Sequence, residues 1–335
     1  MSTRTRLATA ELPAALLPML RQQLGQDSDV TGWRPAPRGF STETTLFDYG
    51  STPLVLRRPP ELPLFPDYDL LRQVKVMQRL AVTDIPVPHV HWLDRGDDLL
   101  GSPYYVMDRL AGDAPGDFPS YHSEGLYHDA SPAQRAKMWW GCVDVMADVH
   151  RLDWRALDLS FLGLPDFGTR PLEQVVNYLD DALAWATDIR PRSLSRAIGW
   201  LRSNLYEPEH LTLCWGDARL SNVLYDADFE VAGVLDWEIA YLGDHEADLA
   251  WLLFLDWANS EYEGIPRLPG TPTRAETIAH YERRSGMAVR NLVYNEVLAA
   301  VLLAVPLLRI TEAFQLPADT TAFCTRRIDE LLEES

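Results

Sequence analysis

Three side chains within one short stretch could together move a phosphoryl group. Asp217 stands in Leu213-Cys-Trp-Gly-Asp-Ala-Arg-Leu-Ser-Asn-Val-Leu-Tyr225, after an apolar run and a glycine, which places it in a tight loop at a strand end. Asn222 follows five residues later and leads into a second apolar run. Asp236 ends a third run, in Val231-Ala-Gly-Val-Leu-Asp-Trp-Glu238, after a turn at Asp226-Ala-Asp228. Neighbouring strands lie about 4.8 Å apart, so a small sheet folded this way brings all three to one end. One carboxylate can then take a proton. A carboxamide and a second carboxylate offer hard oxygen ligands of the kind Mg2+ takes. Transfer from a nucleotide to a hydroxyl needs those parts. Taken singly, each residue reads as a turn or cap at a strand end; the spacing, with a hairpin between, is what points to a site.

The elements that must carry this loop and hairpin fall into two groups. Phe40–Tyr49 is rich in Thr and aromatics, Gly50–Pro53 breaks it as a turn, and Leu54–Arg57 reads as a second strand ended by Pro59-Pro60. Asp69–Leu80 has apolar residues at 70, 71, 74, 77 and 80, a helical period. His89–Leu93 and Tyr104–Asp108 read as two more strands around a turn-like segment. This predicts a small antiparallel sheet with one helix. After Leu110 comes a polar loop, Asp113–Asp129. Helices are expected over Ala133–His150, Pro171–Ala186, Ser193–Tyr206, Asp244–Trp257, Arg274–Arg284, Asn291–Gln315 and Thr320–Leu332, with a β-rich island over Leu211–Tyr241. The expectation is an α+β chain in two lobes: residues 1–108 as a small antiparallel-sheet lobe, and 109–335 as a larger, mainly helical lobe. A cleft between lobes is a common ligand site.

The loop and hairpin resemble the aminoglycoside phosphotransferase and choline kinase family, which shares the two-lobed protein-kinase-like fold. That family's catalytic loop reads HGDxxxxN and its metal segment DxE or DxD after a hairpin; this chain has Trp215-Gly-Asp217-x4-Asn222 and Asp236-Trp-Glu238. The resemblance implies Asp217 as catalytic base and Asn222 and Asp236 as Mg2+ ligands, with Asp244 and Asp248 as a helix cap and a loop brace. Upstream, Arg38–Phe47 resembles the phosphate-covering loop, which brings Ser41 and Thr42 to the nucleotide. Tyr104–Gly112 resembles the strand and hinge that meet the base, through the backbone of Met107 to Arg109. The implied activity is an ATP- and Mg2+-dependent kinase acting on a small hydroxylated substrate.

Three positions depart from the family pattern. Its catalytic-loop histidine, mainly a support for the loop, is Trp215 here. Its third-strand lysine falls on Arg57, expected at the α/β-phosphates, and the glutamate that pairs with that lysine falls near Gln73. Gln73 is expected within hydrogen-bonding or water-bridged reach of Arg57. Arg58, pointing the other way along a strand, is expected in solvent. His150 reads as a structural residue at a helix end. The alternative function is a kinase-fold protein that binds nucleotide or ligand without turnover.

Composition narrows the rest. The chain has 335 residues, 49 acids against 30 bases and a net charge of −19, which argues against a nucleic-acid surface. Three scattered cysteines, Cys142, Cys214 and Cys324, form no CxxC pair and predict neither a disulfide framework nor a zinc-thiolate site. His245-Glu246-Ala-Asp248 lacks the second histidine of a zinc protease helix. No GxSxG, GxxxxGK[ST] or GxGxxG occurs. The amino-terminal segment, interrupted by Glu11 and prolines, reads as a short surface helix and not a signal peptide. The longest apolar run, Val297–Leu308, falls short of the roughly twenty residues of a membrane span and reads as a core helix. A cytoplasmic protein, monomeric or homodimeric and away from membranes, is expected. The substrate stays open among aminoglycosides, choline-like amines and hydroxylated acyl compounds. The last belong to similar kinase domains found beside acyl-CoA dehydrogenases.

Overall fold

Five antiparallel strands in the order β1-β2-β3-β5-β4 build the first sheet: β1 Val30–Pro35, β2 Glu43–Tyr49, β3 Thr52–Arg58, β4 Val90–Asp94 and β5 Tyr104–Asp108. The computed structural model describes residues 6–25, 27–36, 42–66, 68–96 and 99–334. The contacts divide the chain into two units, Met1–Pro63 with Asp67–Ala111, and Leu64–Pro66 with Gly112–Ser335. The sheet belongs to the first.

Alternation along its strands assigns two faces. Phe47 and Tyr49 on β2, Leu54 and Leu56 on β3, and Tyr104 and Val106 on β5 pack with Leu12, Leu16 and Leu20 of helix α1, Leu12–Leu24. The opposite face carries Val55, Arg57, Tyr105 and Met107, paired across β3 and β5. Helix α2, Leu70–Leu80, is capped by Asp69 and packs on β4 and β5. Two expectations change here. β1 was not foreseen, because Gly32, Arg34 and Pro35 break any apolar alternation; its pairing with β2 makes it a strand. Arg58 is buried rather than solvated. It shares the face of Leu54 and Leu56, where its guanidinium forks onto both oxygens of Glu43 and donates to the Leu7 carbonyl ahead of α1. The segment covering that face turned an outward position into an inward one.

The second unit is helical around two short ladders. Its helices are α3 Leu126–Asp129, α4 Pro132–His150, α5 Pro171–Ala186, α6 Arg192–Ser203, α7 Glu246–Trp257, α8 Arg274–Ser285, α9 Leu292–Phe314 and α10 Ala322–Glu334. Reciprocal capping boxes open α4 at Ser131/Gln134 and α8 at Thr273/Glu276. α9 packs on α5, α6, α7 and α10. Among the described residues it is the one helix long and apolar enough to cross a membrane. Its buried residues run from Tyr294 to Leu308.

The β island is two ladders rather than one small sheet. β6, Leu211–Cys214, pairs with β9, Tyr241–Asp244, and β7, Val223–Tyr225, pairs with β8, Val231–Val234. The β7–β8 hairpin lies between β6 and β9 in sequence, so two loops, 215–222 and 235–240, both run from one ladder to the other. Asp244 closes β9 opposite Leu211, and its carboxylate accepts from the amide of Glu246, where the following helix begins.

Candidate active site

The two loops between the ladders interlock through their backbones. Leu235 N–H donates to the Asn222 carbonyl at 2.9 Å. Gly216 has φ +90°, and a Cβ there would lie 2.4 Å from the Ile239 carbonyl, so only glycine fits this crossing. Asp248, on the first turn of α7, braces the loop from below. Its carboxylate accepts from the amides of Trp215 (2.7 Å) and Gly216 (2.8 Å). His150 at the end of α4 bonds the same carboxylate at 2.9 Å and the Tyr281 hydroxyl at 2.6 Å. His150 and Asp248 therefore hold the loop from beneath and stand away from its reacting groups.

Asp217 is buried at the crossing. Its Oδ1 accepts from the Trp251 indole at 2.9 Å. Its Oδ2 accepts from Asn222 Nδ2 at 2.7 Å and meets Arg219 Nη2 at 2.9 Å. Burial pushes the carboxyl up to about 6; the charges of Asp236 and Asp117 act in the same sense, while Arg219 and Asn222 pull it down. Burial disfavours the Arg219 charge, but Asp217, Asp117 and Asp236 outweigh it and hold the guanidinium protonated. Asp117, on the loop ahead of α3, takes Arg219 Nη1 at 2.9 Å and the Ser221 hydroxyl at 2.7 Å.

The metal assignment fits this arrangement. Asn222 spends its side-chain nitrogen on the Asp217 carboxylate and carbonyl, and its side-chain Oδ1 takes no hydrogen bond from the described residues. That oxygen and the Asp236 carboxylate are the hard donors Mg2+ prefers. Asp236 has φ +63°, a left-handed backbone that a non-glycine residue adopts only when its surroundings impose it. Those surroundings are Trp215, whose indole donates to the Leu235 carbonyl at 2.8 Å, and Trp237, stacked on Trp215 at 5.6 Å between ring centroids.

A second acidic group, Asp244, His245 and Glu246, has side chains close enough for a metal. Its oxygens are already used. Asp244 accepts from Tyr206, Asn295 and the Glu246 amide, and Glu246 from the amides of Arg290 and Asn291. It is a structural junction of β9, α7 and α9.

In the first unit, Arg57 is buried on the α2 face and donates to Thr42 Oγ1 at 2.8 Å. Thr42 also bonds the Tyr68 hydroxyl at 2.6 Å. Among the described residues no direct hydrogen bond joins Gln73 to Arg57; the Gln73 carbonyl accepts from the hydroxyl of Tyr105, the residue opposite Arg57 in the β3–β5 register. Met107 is buried within β5. The amides of Asp108 and Arg109 donate to the carbonyls of His89 and Pro53, so neither N–H is open to a base edge, and contact there would use their carbonyl oxygens. The Arg109 side chain pairs with Asp48 at 2.6 Å. Ser41 lies outside the described residues.

The model of the phosphotransferase enzyme family, APH, matches residues 32–287, which contain both interlocked loops. The chain belongs to this family. A Ralstonia eutropha protein named for the aminoglycoside phosphotransferases shares its fold, with a TM-score of 0.71 at 21% identity over 96% of this chain and 98% of that one. A thermostable mutant of aminoglycoside phosphotransferase APH(4)-Ia, solved with ADP and hygromycin B, has a TM-score of 0.64 at 18% identity over 96% and 99%. The fold is therefore the kinase-like fold of those proteins. Among curated proteins, mouse acyl-CoA dehydrogenase family member 10 is 32% identical over 220 residues, 64% of this chain and 19% of that protein. Rat acyl-CoA dehydrogenase family member 11 is 30% identical over 261 residues, 74% and 32% respectively. The chain spans about a fifth to a third of the length of these relatives.

Within the phosphotransferase family pattern, the departure at Trp215 keeps the loop supported: the indole N–H and the ring face act where a histidine usually stands. Three residues around Asp217 were not singled out by sequence reasoning. Arg219, two places past Asp217 in the motif, was the only one with a local signal. Asp117 and Trp251 reach the loop from 100 residues before it and 34 after it, and nothing in their own neighbourhoods marks them.

Proposed function

We propose that the protein is a kinase that transfers the γ-phosphoryl group of ATP to the hydroxyl of a small molecule, with Mg2+ held by Asn222 and Asp236. The observation carrying this is the arrangement at Asp217: a buried carboxylate with its value raised towards neutrality, where a general base works best, beside a carboxamide oxygen left for a cation. When bound, the metal ion neutralises phosphate charge. The chain's own groups do the rest. Asp217 orients the acceptor hydroxyl and takes its proton, and Arg57 grips the α/β-phosphates. The loop 112–122 walls the acceptor. It is pinned by Ser120 to the Asn259 carbonyl at 2.6 Å and by Tyr121 and His122 to Asp256 at 2.9 and 3.0 Å. Phe118 stands 75% exposed between these anchors and Asp117. The structural relatives solved with ADP and hygromycin B support a nucleotide and a hydroxylated acceptor. The curated relatives are named as acyl-CoA dehydrogenase family members, which keeps hydroxylated acyl compounds among the acceptors worth testing. A library of hydroxylated metabolites, screened with γ-labelled ATP and Mg2+, tests the reading. Label transfer to one class supports it, and absence of transfer and hydrolysis alike defeats it.

A second reading, binding without turnover, draws on Gln73. A neutral amide already bonded to Tyr105 stands where the family has a charged partner for the phosphate-gripping base. Label transfer or hydrolysis separates it from the kinase reading, and two binding results test the metal and phosphate assignments that both readings share. Asp236→Ala is expected to remove most of the Mg2+ dependence of ATP binding in calorimetric titration; equal affinity of mutant and parent for Mg·ATP would defeat the metal assignment. Arg57→Ala is expected to weaken ATP by about 2–3 kcal/mol, the scale of a lost charge-assisted bond. Arg57→Lys should recover only part, because the fork onto phosphate is gone. Parent-like ATP affinity in Arg57→Ala would move the phosphate grip elsewhere.

A further inference from the structure

A carboxylate offers about four lone-pair positions, and the contacts of Asp217 use three. Among the described residues, Oδ2 takes the hydrogen bond of Asn222 Nδ2 and the ion pair with Arg219 Nη2, while Oδ1 accepts the Trp251 indole alone. We propose that Arg219, held in place by Asp117, is a positioning residue that decides which oxygen of Asp217 serves as the base. With Oδ2 filled, the acceptor hydroxyl meets the one remaining position, on Oδ1. This rests on the reading of Asp217 as base. In the step itself the acceptor O–H bond breaks and its proton passes to Oδ1. The acceptor oxygen bonds the γ-phosphorus as the bond to the β-phosphate oxygen breaks, and ADP leaves with that electron pair.

The geometry gives Arg219 two arms with separate tasks. Nη2 lies on the base and Nη1 on Asp117, both at 2.9 Å. A planar fork bridges two carboxylates in a fixed orientation, which an ammonium cannot do. Asp117 is itself anchored. The Asp113 and Tyr225 backbones exchange bonds at 3.0 and 2.8 Å, Ser221 donates to the same Asp117 oxygen, and Ser120 closes the loop on the other side. The acceptor-side loop therefore reaches the base through one guanidinium. A merely structural ion pair would affect folding alone; a positioning pair must alter turnover without altering nucleotide affinity.

Hydrolysis of Mg·ATP, with water as acceptor, can be followed in the parent, Asp217→Asn, Arg219→Met, Arg219→Lys, Asp117→Asn and the Arg219→Met/Asp117→Asn double variant. Mg·ATP affinity is measured alongside by calorimetry. Arg219→Met is expected to lower kcat by about 10- to 100-fold, the scale of a misplaced catalytic group, with Mg·ATP affinity unchanged within about twofold. Arg219→Lys should regain part of the loss. Asp117→Asn should lower kcat less, and should add little in the Arg219→Met background, because its hold on the orientation of the base runs through Arg219. The proposal is overturned if Arg219→Met keeps the parent kcat while Asp217→Asn loses it, if the two penalties multiply, or if Arg219→Met changes nucleotide affinity with kcat intact. If Arg219→Met does not fold, Arg219→Lys and Asp117→Asn carry the same comparison. Parent-like hydrolysis by Asp217→Asn instead removes the base assignment, and a parent without hydrolysis or transfer removes the enzyme reading; either takes this proposal with it.

Discussion

Asp217→Asn is expected to leave Mg·ATP binding close to the parent and to lower phosphoryl transfer by about 10²–10⁴-fold, the usual worth of general base catalysis. The local bonds fix how the new side chain sits. Asn222 donates to Oδ2 and the Arg219 guanidinium lies against it, so the new carboxamide places its carbonyl oxygen there and its NH2 at the Oδ1 position. The shape is kept and the Oδ2 donors remain satisfied. At Oδ1, however, an N–H now stands where the acceptor hydroxyl needs a lone pair, and it faces the Trp251 indole, which is itself a donor. Single-turnover transfer from γ-labelled ATP measures the loss, and calorimetry checks that nucleotide still binds. Turnover within a few-fold of the parent would mean that the proton leaves by another route.

Asp248→Ala is expected to destabilise the second unit by about 2–6 kcal/mol, because it strands two buried amides at about 1–3 kcal/mol each. Those amides belong to Trp215 and Gly216, and the His150 ring loses its bond to the same carboxylate. The loop backbone has little room to shift there, since a Cβ at Gly216 would already lie 2.4 Å from the Ile239 carbonyl. Asp248→Asn should be little better. One oxygen can serve one amide, and its NH2 would confront the other. Urea denaturation followed by circular dichroism gives the stability. A loss below about 1 kcal/mol would show that water repairs the site and that Asp248 is not the brace its bonds describe.

Much of the chain was readable from local pattern. The 3.6-residue spacing of apolar side chains marked the helices within a few residues, because such a helix buries one stripe whatever covers it. Asp69 caps α2 and the Ser131 box opens α4 because their oxygens satisfy amides two or three positions away. Local pattern failed where pairing decided the outcome. β1 has a strand's backbone because β2 lies beside it, and its own residues alternate in no useful way. The Asp108 and Arg109 amides, expected at a nucleotide base, are used by strands that approach from 19 and 56 residues earlier in the chain.

The sequence by itself determined the chemical inventory of the site and its order. Asp217, Asn222 and Asp236 stand in two loops flanking a hairpin, and any folding of that hairpin brings the loops together. Only the tertiary structure decided how the inventory is poised. Asp117 and Trp251 come to Asp217 from distant segments, Arg219 turns inward to bridge two carboxylates, and Arg58 is buried under a segment that no strand pattern announces. The reason is physical. Periodicity states which face of an element is apolar, whereas the charge, burial and free lone pairs of a carboxylate depend on every neighbour that the whole fold delivers to it.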